Sequence, residues 1–183
     1  MSKIEEPEYE IVASDGPFEI RNYRSMIVAE TEVRGERSSA INEGFRLIAG
    51  YIFGNNRTRG KIAMTAPVQQ QMTAVAPEQP RQSRDGTWAV RFVMPKSWTM
   101  ATLPPPNDPR VRLSQVPAQK WLAIRFSGFA SSRSIGAKER ALRAYARAKG
   151  IETTGEPILA FYNPPWTLPF LRRNEILVAV TGG

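Results

Sequence analysis

Five segments of this chain alternate apolar and polar residues, and two longer ones place apolar residues three or four apart. A chain with both periods has to build β-sheet and helix together. In Ile27-Val28-Ala29-Glu30-Thr31-Glu32-Val33, Ile27, Ala29, Thr31 and Val33 share one face, while Glu30 and Glu32 are expected to point to water. Ile62, Met64, Ala66 and Val68 share a face in a second strand, and Trp88, Val90, Phe92 and Met94 in a third. Leu122, Ile124 and Phe126 mark a fourth, and Ile176, Val178 and Val180 a fifth. Gly16-Pro17 and Asp85-Gly86 are turn signals between strands. Pro67 has no N–H to give a ladder, so its strand is expected at a sheet edge or with a bulge.

The first helix is expected from about Ser38 to Phe53, with Ser38 or Ser39 as N-cap and Gly54 as its stop. Its apolar stripe is Ile41, Phe45, Ile48 and Ile52, so one face must be covered. The second runs from about Ser132 to Lys149 and stops at Gly150; Ile135, Leu142, Tyr145 and Ala146 fall on one side, Arg133, Arg140, Arg143 and Arg147 on the other. An arginine stripe of this kind is most often a solvated face. The order reads as strand, strand, helix, strand, strand, then a second unit of the same plan. The halves are approximately 8–94 and 110–181, with the linker at 95–109 and its clearest part at Leu103–Pro109. Two such units bury their helices' stripes by pairing sheets, giving one barrel-like α+β domain over 1–183 with the helices outside. Thr73 to Gln82, with Pro77 and Pro80, reads as a surface loop.

Composition removes several classes of chemistry. With 183 residues and 42% hydrophobic content the chain can bury a core. It has no Cys and no His. Disulfides, thiolate zinc sites, thiol nucleophiles, histidine triads and three-histidine metal sites are therefore excluded, and an enzyme here would rely on carboxylates, Tyr or Lys. The net charge of +8 suits anionic partners without choosing among them. No nucleic-acid recognition motif is present, so no nucleic-acid partner is expected. No run of eighteen apolar residues occurs and Met1-Ser2-Lys3-Ile4-Glu5-Glu6-Pro7 is polar, so neither a membrane span nor a signal segment is expected, and the reading is cytoplasmic.

Two motif matches fail. Gly54 to Lys61 has five residues between its glycines and Ile62 where a phosphate loop needs Ser or Thr. Asn56-Arg57-Thr58 is a glycosylation sequon that has no meaning without secretion. Asn163 to Glu175 is unusual: three prolines, Trp166, Phe170, then Arg172 and Arg173. It reads as a clamp in which Trp166 and Phe170 plug the barrel and an arginine pairs with Glu175. The alternative has Arg172 or Arg173 meeting an anionic ligand group.

Lys61-Ile62-Ala63-Met64-Thr65-Ala66-Pro67-Val68 and Asn163-Pro164-Pro165-Trp166-Thr167-Leu168-Pro169-Phe170-Leu171-Arg172-Arg173-Asn174-Glu175 both resemble strings of the SOUL haem-binding family, in its bacterial type. Phe18-Glu19-Ile20-Arg21-Asn22-Tyr23 and Pro106-Asn107-Asp108-Pro109 are two further matches, and the resemblance runs roughly from Tyr9 to Val180. It implies a pseudo-twofold distorted antiparallel β-barrel with two outer helices, binding haem or a related tetrapyrrole. Family members of the animal type carry the proposed haem-ligating His at the position that Asn22 holds here, so imidazole ligation of that kind is not possible in this chain. What the resemblance implies instead is an apolar groove beside the first helix: Phe45, Ile48, Ala49 and Ile52, with Met64 on its floor. Arg57, Arg59 and Lys61, with Arg46, are the nearest cations for the propionates.

The leading expectation is a non-enzymatic protein that stores, buffers or carries a tetrapyrrole. The barrel also resembles the ligand-binding modules of bacterial regulators and gyrase-inhibitory proteins, which leaves a general small-molecule effector module open. A porphyrin-processing enzyme, with Glu43 or Tyr51 as acid or base, is the third reading.

Overall fold

The structure, a computed structural model, describes residues 3–75 and 85–182. In chain order its elements are β1 (Tyr9–Asp15), β2 (Phe18–Tyr23), β3 (Met26–Glu36), α1 (Arg37–Ile52), β4 (Val68–Val75), β5 (Asp85–Val93), β6 (Arg112–Val116), β7 (Gln119–Phe126), α2 (Ser132–Lys149), β8 (Thr153–Phe161), a short 3-10 turn (Pro169–Leu171) and β9 (Asn174–Val180). The named strands pair antiparallel and the class is α+β. Two compact units divide the chain: Met1–Glu6 with Met26–Val116, and Pro7–Ser25 with Pro117–Gly183.

In the first unit the strand order is β4-β5-β3-β6, and α1 covers one face. Ala29, Val90, Phe92, Met94, Ile48, Tyr51 and Ile52 form that core. The helix approaches the sheet closely at Gly44, where a Cβ would lie 2.6 Å from the Val90 Cβ. No residue larger than glycine fits there without a shift. The cap differs from expectation: the Glu36 carboxylate accepts from the Ser38 and Ser39 N–H groups, so the serines are capped and do not cap. Phe53 closes the helix, and Gly54 follows at φ 118°, where glycine is favoured.

Three local expectations of the first unit are corrected. Residues 61–67 form no regular strand; Thr65 makes only an isolated parallel bridge to Glu5, and β4 begins at Val68. Ile62 and Ala66 are buried while Met64 is exposed, so the three share no face. Pro67 withholds the N–H at the point where a ladder would need it, as its chemistry demands. Asp85-Gly86 is not a turn but the start of β5, paired with Glu36 and Gly35; a Cβ on Gly86 would lie 2.8 Å from the Ala74 carbonyl, so glycine serves the close approach of two strands. Glu30 does not face water: its side chain is 17% exposed and pairs with Arg91, with Arg112 nearby at 3.6 Å. Of the loop expected over Thr73–Gln82, residues 73–75 belong to β4 and the rest lies outside the described residues.

In the second unit the order is β1-β2-β7-β9-β8. α2 runs as expected, with Ser131 as N-cap and Gly150 in the left-handed region at φ 65°. Ile135, Leu142 and Ala146 pack on Leu122, Ile124, Phe126, Leu159, Ile176 and Val178. Tyr145 stacks on Phe18 with centroids 4.1 Å apart. The alternation puts the partners of this apolar set on the opposite face, where Arg21, Tyr23 and Glu175 are buried. Trp166 and Phe170 plug nothing; they are 83% and 70% exposed. The pairing of an arginine with Glu175 is found, through Arg173 at 2.9 Å. Among the described residues, no helix is long and apolar enough to cross a membrane.

Candidate functional site

All the expected site residues except Asn22 fall in the first unit, and α1 sorts them by depth. Ile48 and Ile52 are almost wholly buried in the core, where they hold the helix to the sheet. Phe45, Ala49 and Phe53, spaced four apart, lie on the side that core packing leaves over: Phe45 is 39% and Phe53 55% exposed, with Ala49 half-buried between them. Phe45 still touches the core through Phe92, centroids 5.4 Å apart. Phe53 was not among the expected residues, although continuing the four-residue spacing one step past Ala49 finds it.

The helix leads into a loop organised by one buried side chain. The Asn56 amide donates to the Tyr51 carbonyl at 3.0 Å and the Gly60 carbonyl at 2.8 Å, and its oxygen accepts from Gly60 N–H and the Thr58 hydroxyl. The Arg57 N–H donates to the Pro105 carbonyl at 3.0 Å, and Asn107 bonds Asn55 through both backbone and side chain. The string Pro106-Asn107-Asp108-Pro109 thereby fixes the loop that presents Arg57, Arg59 and Lys61. These three side chains are exposed, and among the described residues no carboxylate forms an ion pair with them. Arg59 sits at φ 55°, an uncommon conformation for a residue with a Cβ. Beyond them Ile62 donates its N–H to the Ile52 carbonyl, and Met64 is 39% exposed.

Asn22 stands in the second unit, exposed on β2 opposite Lys120. Its neighbours in sequence do the structural work. Arg21 donates to both Glu175 oxygens, at 2.7 and 3.0 Å, and to the Tyr23 hydroxyl at 2.9 Å, with its guanidinium 4.4 Å from the Tyr9 ring centre. Tyr162 donates to Glu175 at 3.0 Å, and Arg173 lies over the Tyr162 ring at 3.8 Å. Burial alone would raise the Glu175 carboxyl, but hydrogen bonds and charge from Arg21 and Arg173 hold it below the usual carboxylate range. Burial pushes Tyr23 up to about 12 against the opposing charge of Arg21. The two family-like strings, Phe18–Tyr23 and Asn163–Glu175, thus meet in a buried polar cluster in which the Glu175 carboxylate accepts from Arg21, Tyr162 and Arg173. Arg172 is similarly occupied, donating to the Thr167 and Pro165 carbonyls.

Tyr51, an acid–base candidate of the first unit, is no better placed. Tyr51 is 1% exposed, donates to the Pro104 carbonyl at 2.8 Å, and is pushed up to about 12 by burial. A phenol so held is part of the packing.

The comparisons bear on the whole chain. The model of the SOUL heme-binding protein family matches residues 4–179. Among solved structures, the C-terminal domain of EcmrR is similar with a TM-score of 0.67 and 12% identity over 96% of this chain and 99% of that one. A hydrolase from Listeria innocua is similar at 0.60 and 15%, over 93% and 94%. A protein bound to tetraphenylphosphonium is similar at 0.51 and 9%, over 96% and 94%. At these identities the structures show the α+β fold and nothing further. No curated protein matches this chain. The strings at 18–23, 61–68, 106–109 and 163–175 thus lie within a single match that spans nearly all of the sequence, and the chain belongs to the SOUL heme-binding protein family.

Proposed function

We propose that the protein binds haem or a related tetrapyrrole without imidazole ligation, as a non-enzymatic store, buffer or carrier. The observation that carries this reading is the side of α1 left over by the core: Phe45, Ala49 and Phe53 run toward a rigid loop bearing Arg57, Arg59 and Lys61. A tetrapyrrole is apolar across its ring and anionic at its propionates, and this surface offers the complement of both. Family membership supports the same ligand class.

The donors fit the ring better than they fit the iron. The chain has neither His nor Cys, Asn22 offers only an amide, and Met64 only a thioether. Haem held here keeps its iron free of protein imidazole. Ring contact falls to Phe45, Ala49 and Phe53; Ile48 and Ile52 support them from the core. Each exposed arginine or lysine pair with a propionate contributes at most about 1 kcal/mol.

The test compares haem with its dimethyl ester on wild type and on Arg57→Gln/Arg59→Gln/Lys61→Gln. The triple change should weaken the acid several-fold more than the ester, and salt should erase the difference. Equal weakening of both would mean that these residues shape the loop and meet no propionate.

A second reading has its own support: one structural relative is bound to tetraphenylphosphonium, another is a C-terminal domain of EcmrR. On that reading the module takes lipophilic small molecules in general. A thermal-shift screen separates the two, because a ligand that binds only the folded state raises the melting temperature. A response to lipophilic cations without any to porphyrins would favour the effector module.

A further inference from the structure

In the second unit the chain between β8 and β9 builds an apolar knob that the tetrapyrrole reading does not use. Trp166 is 83% exposed, Phe170 70%, Phe129 65%, Leu171 62% and Leu168 55%. Single exposed apolar residues are ordinary, whereas five large ones held together are not. They are held by specific bonds. Thr167 N–H donates to the Pro164 carbonyl, and Leu171 N–H and Arg172 N–H close the 3-10 turn on Leu168 and Pro169. Gly128 N–H donates to the Pro169 carbonyl at 2.8 Å, joining the Phe129 loop to the turn. The Arg172 guanidinium lies 5.2 Å from the Phe129 ring centre. Pro164, Pro165 and Pro169 further limit the backbone, so the knob is preformed.

The charged residues within the segments that build it are all cations. Residues 127–138 and 161–173, the two segments that build and flank the knob, contain no Asp or Glu; Arg172 and Arg173 are taken up by the Thr167 and Pro165 carbonyls and by Glu175, which leaves Arg133 and Lys138 as the cations facing a partner. Trp, Phe and Leu on a projecting tip, with cations and no anions in the same segments, is the chemistry of an element that enters the headgroup layer of a bilayer. A second copy of the chain is a poor occupant, since a self-complementary contact would bring identical cations together.

We propose that this knob docks the protein reversibly on an anionic lipid surface, with Trp166, Leu168 and Phe170 entering the headgroup region and Arg133 and Lys138 meeting lipid phosphates. The docking is peripheral and stands independently of what α1 binds.

The experiment is vesicle co-sedimentation of the full chain in three forms. Wild type should bind vesicles of equal parts phosphatidylcholine and phosphatidylglycerol, bind phosphatidylcholine alone more weakly, and be released by salt of about 0.5 M. Trp166→Ser/Phe170→Ser should lose at least about tenfold in partition, as removal of two buried aromatic anchors predicts. Its melting temperature should match wild type, since both side chains are exposed. Arg133→Gln/Lys138→Gln should weaken binding to the mixed vesicles alone. The proposal is overturned if wild type ignores the mixed vesicles at low salt, or if the double serine variant binds them unchanged. It is equally overturned if wild type self-associates in lipid-free buffer and the serine variant does not, because the knob would then join two copies.

Discussion

At the scale of single residues, two buried positions carry sharp expectations. Gly44→Ala gains about 1 kcal/mol of helix propensity but forces a Cβ to within 2.6 Å of Val90. Overpacking of this kind costs about 1–3 kcal/mol, so the variant should be net destabilised, and Val90→Ala in the same protein should not restore it, because alanine keeps the Cβ that lies 2.6 Å away. Urea unfolding of the single and double variants reads this directly. Arg21→Met leaves Glu175, whose side chain is fully buried, with Arg173 as its remaining guanidinium partner. The loss should be about 3 kcal/mol, the lower end of what breaking a buried pair costs. Glu175 also sets the acid limb. Its folded pKa is depressed, so its contribution is present above the ordinary value of about 4.3 and is lost as pH falls through the lower folded value. Glu175→Gln should therefore lower stability at neutral pH and flatten the fall below about pH 4. Tyr23 and Tyr51 act at the other end. Both are raised to about 12, so the stability they contribute is full below about pH 10 and is lost as pH rises through 12. Melting temperature measured from pH 9 to 12 checks the sign, and a flat profile contradicts it.

At the scale of elements, α1 carries two apolar stripes, one packed on the sheet and one left exposed. Its inward stripe is Ala40, Gly44, Ile48 and Ile52; its outward stripe is Phe45, Ala49 and Phe53. Ile48→Ala should cost about 2–5 kcal/mol without altering ligand chemistry. Phe45→Ser/Phe53→Ser should cost little stability and weaken porphyrin binding about tenfold or more, judged by a titration alongside a melting curve. The helix was legible because its period is local, and both helix ends fell within a residue or two of their expected places. Less was legible in its depth. The stripe Ile41, Phe45, Ile48, Ile52 gives no sign that Phe45 is left out; only the close approach at Gly44 fixes which side is pressed to the sheet. The segment 61–67 misled for a related reason. Alternation there is real, but Pro67 and the hydrogen bond from Ile62 to Ile52 draw the backbone out of any ladder. Asp85-Gly86 and Glu30 misled because cross-strand partners, invisible in sequence, decide whether a glycine turns a chain and whether a carboxylate meets water.

At the scale of the whole molecule, the α+β class followed from periodicity, while strand order did not. β1 and β2 belong with β7 through pairs such as Arg21 with Trp121, about a hundred residues apart in sequence. Nothing local in Phe18–Tyr23 announces that partner. The same holds for the bond between Arg21 and Glu175, which joins two of the strings that carry the family resemblance. The cations at 57–61 were legible as charges, but that a single buried Asn56 fixes their loop was not. Charge remains the most testable global property: at +8 the protein should bind an anionic ligand more weakly as salt rises. The central claim is tetrapyrrole binding without imidazole. It is tested most directly by titrating tag-free protein with haem and following the Soret band. The account expects a saturable shift at one haem per chain, with a spectrum lacking the signature of histidine ligation. Absence of any saturable shift would contradict it.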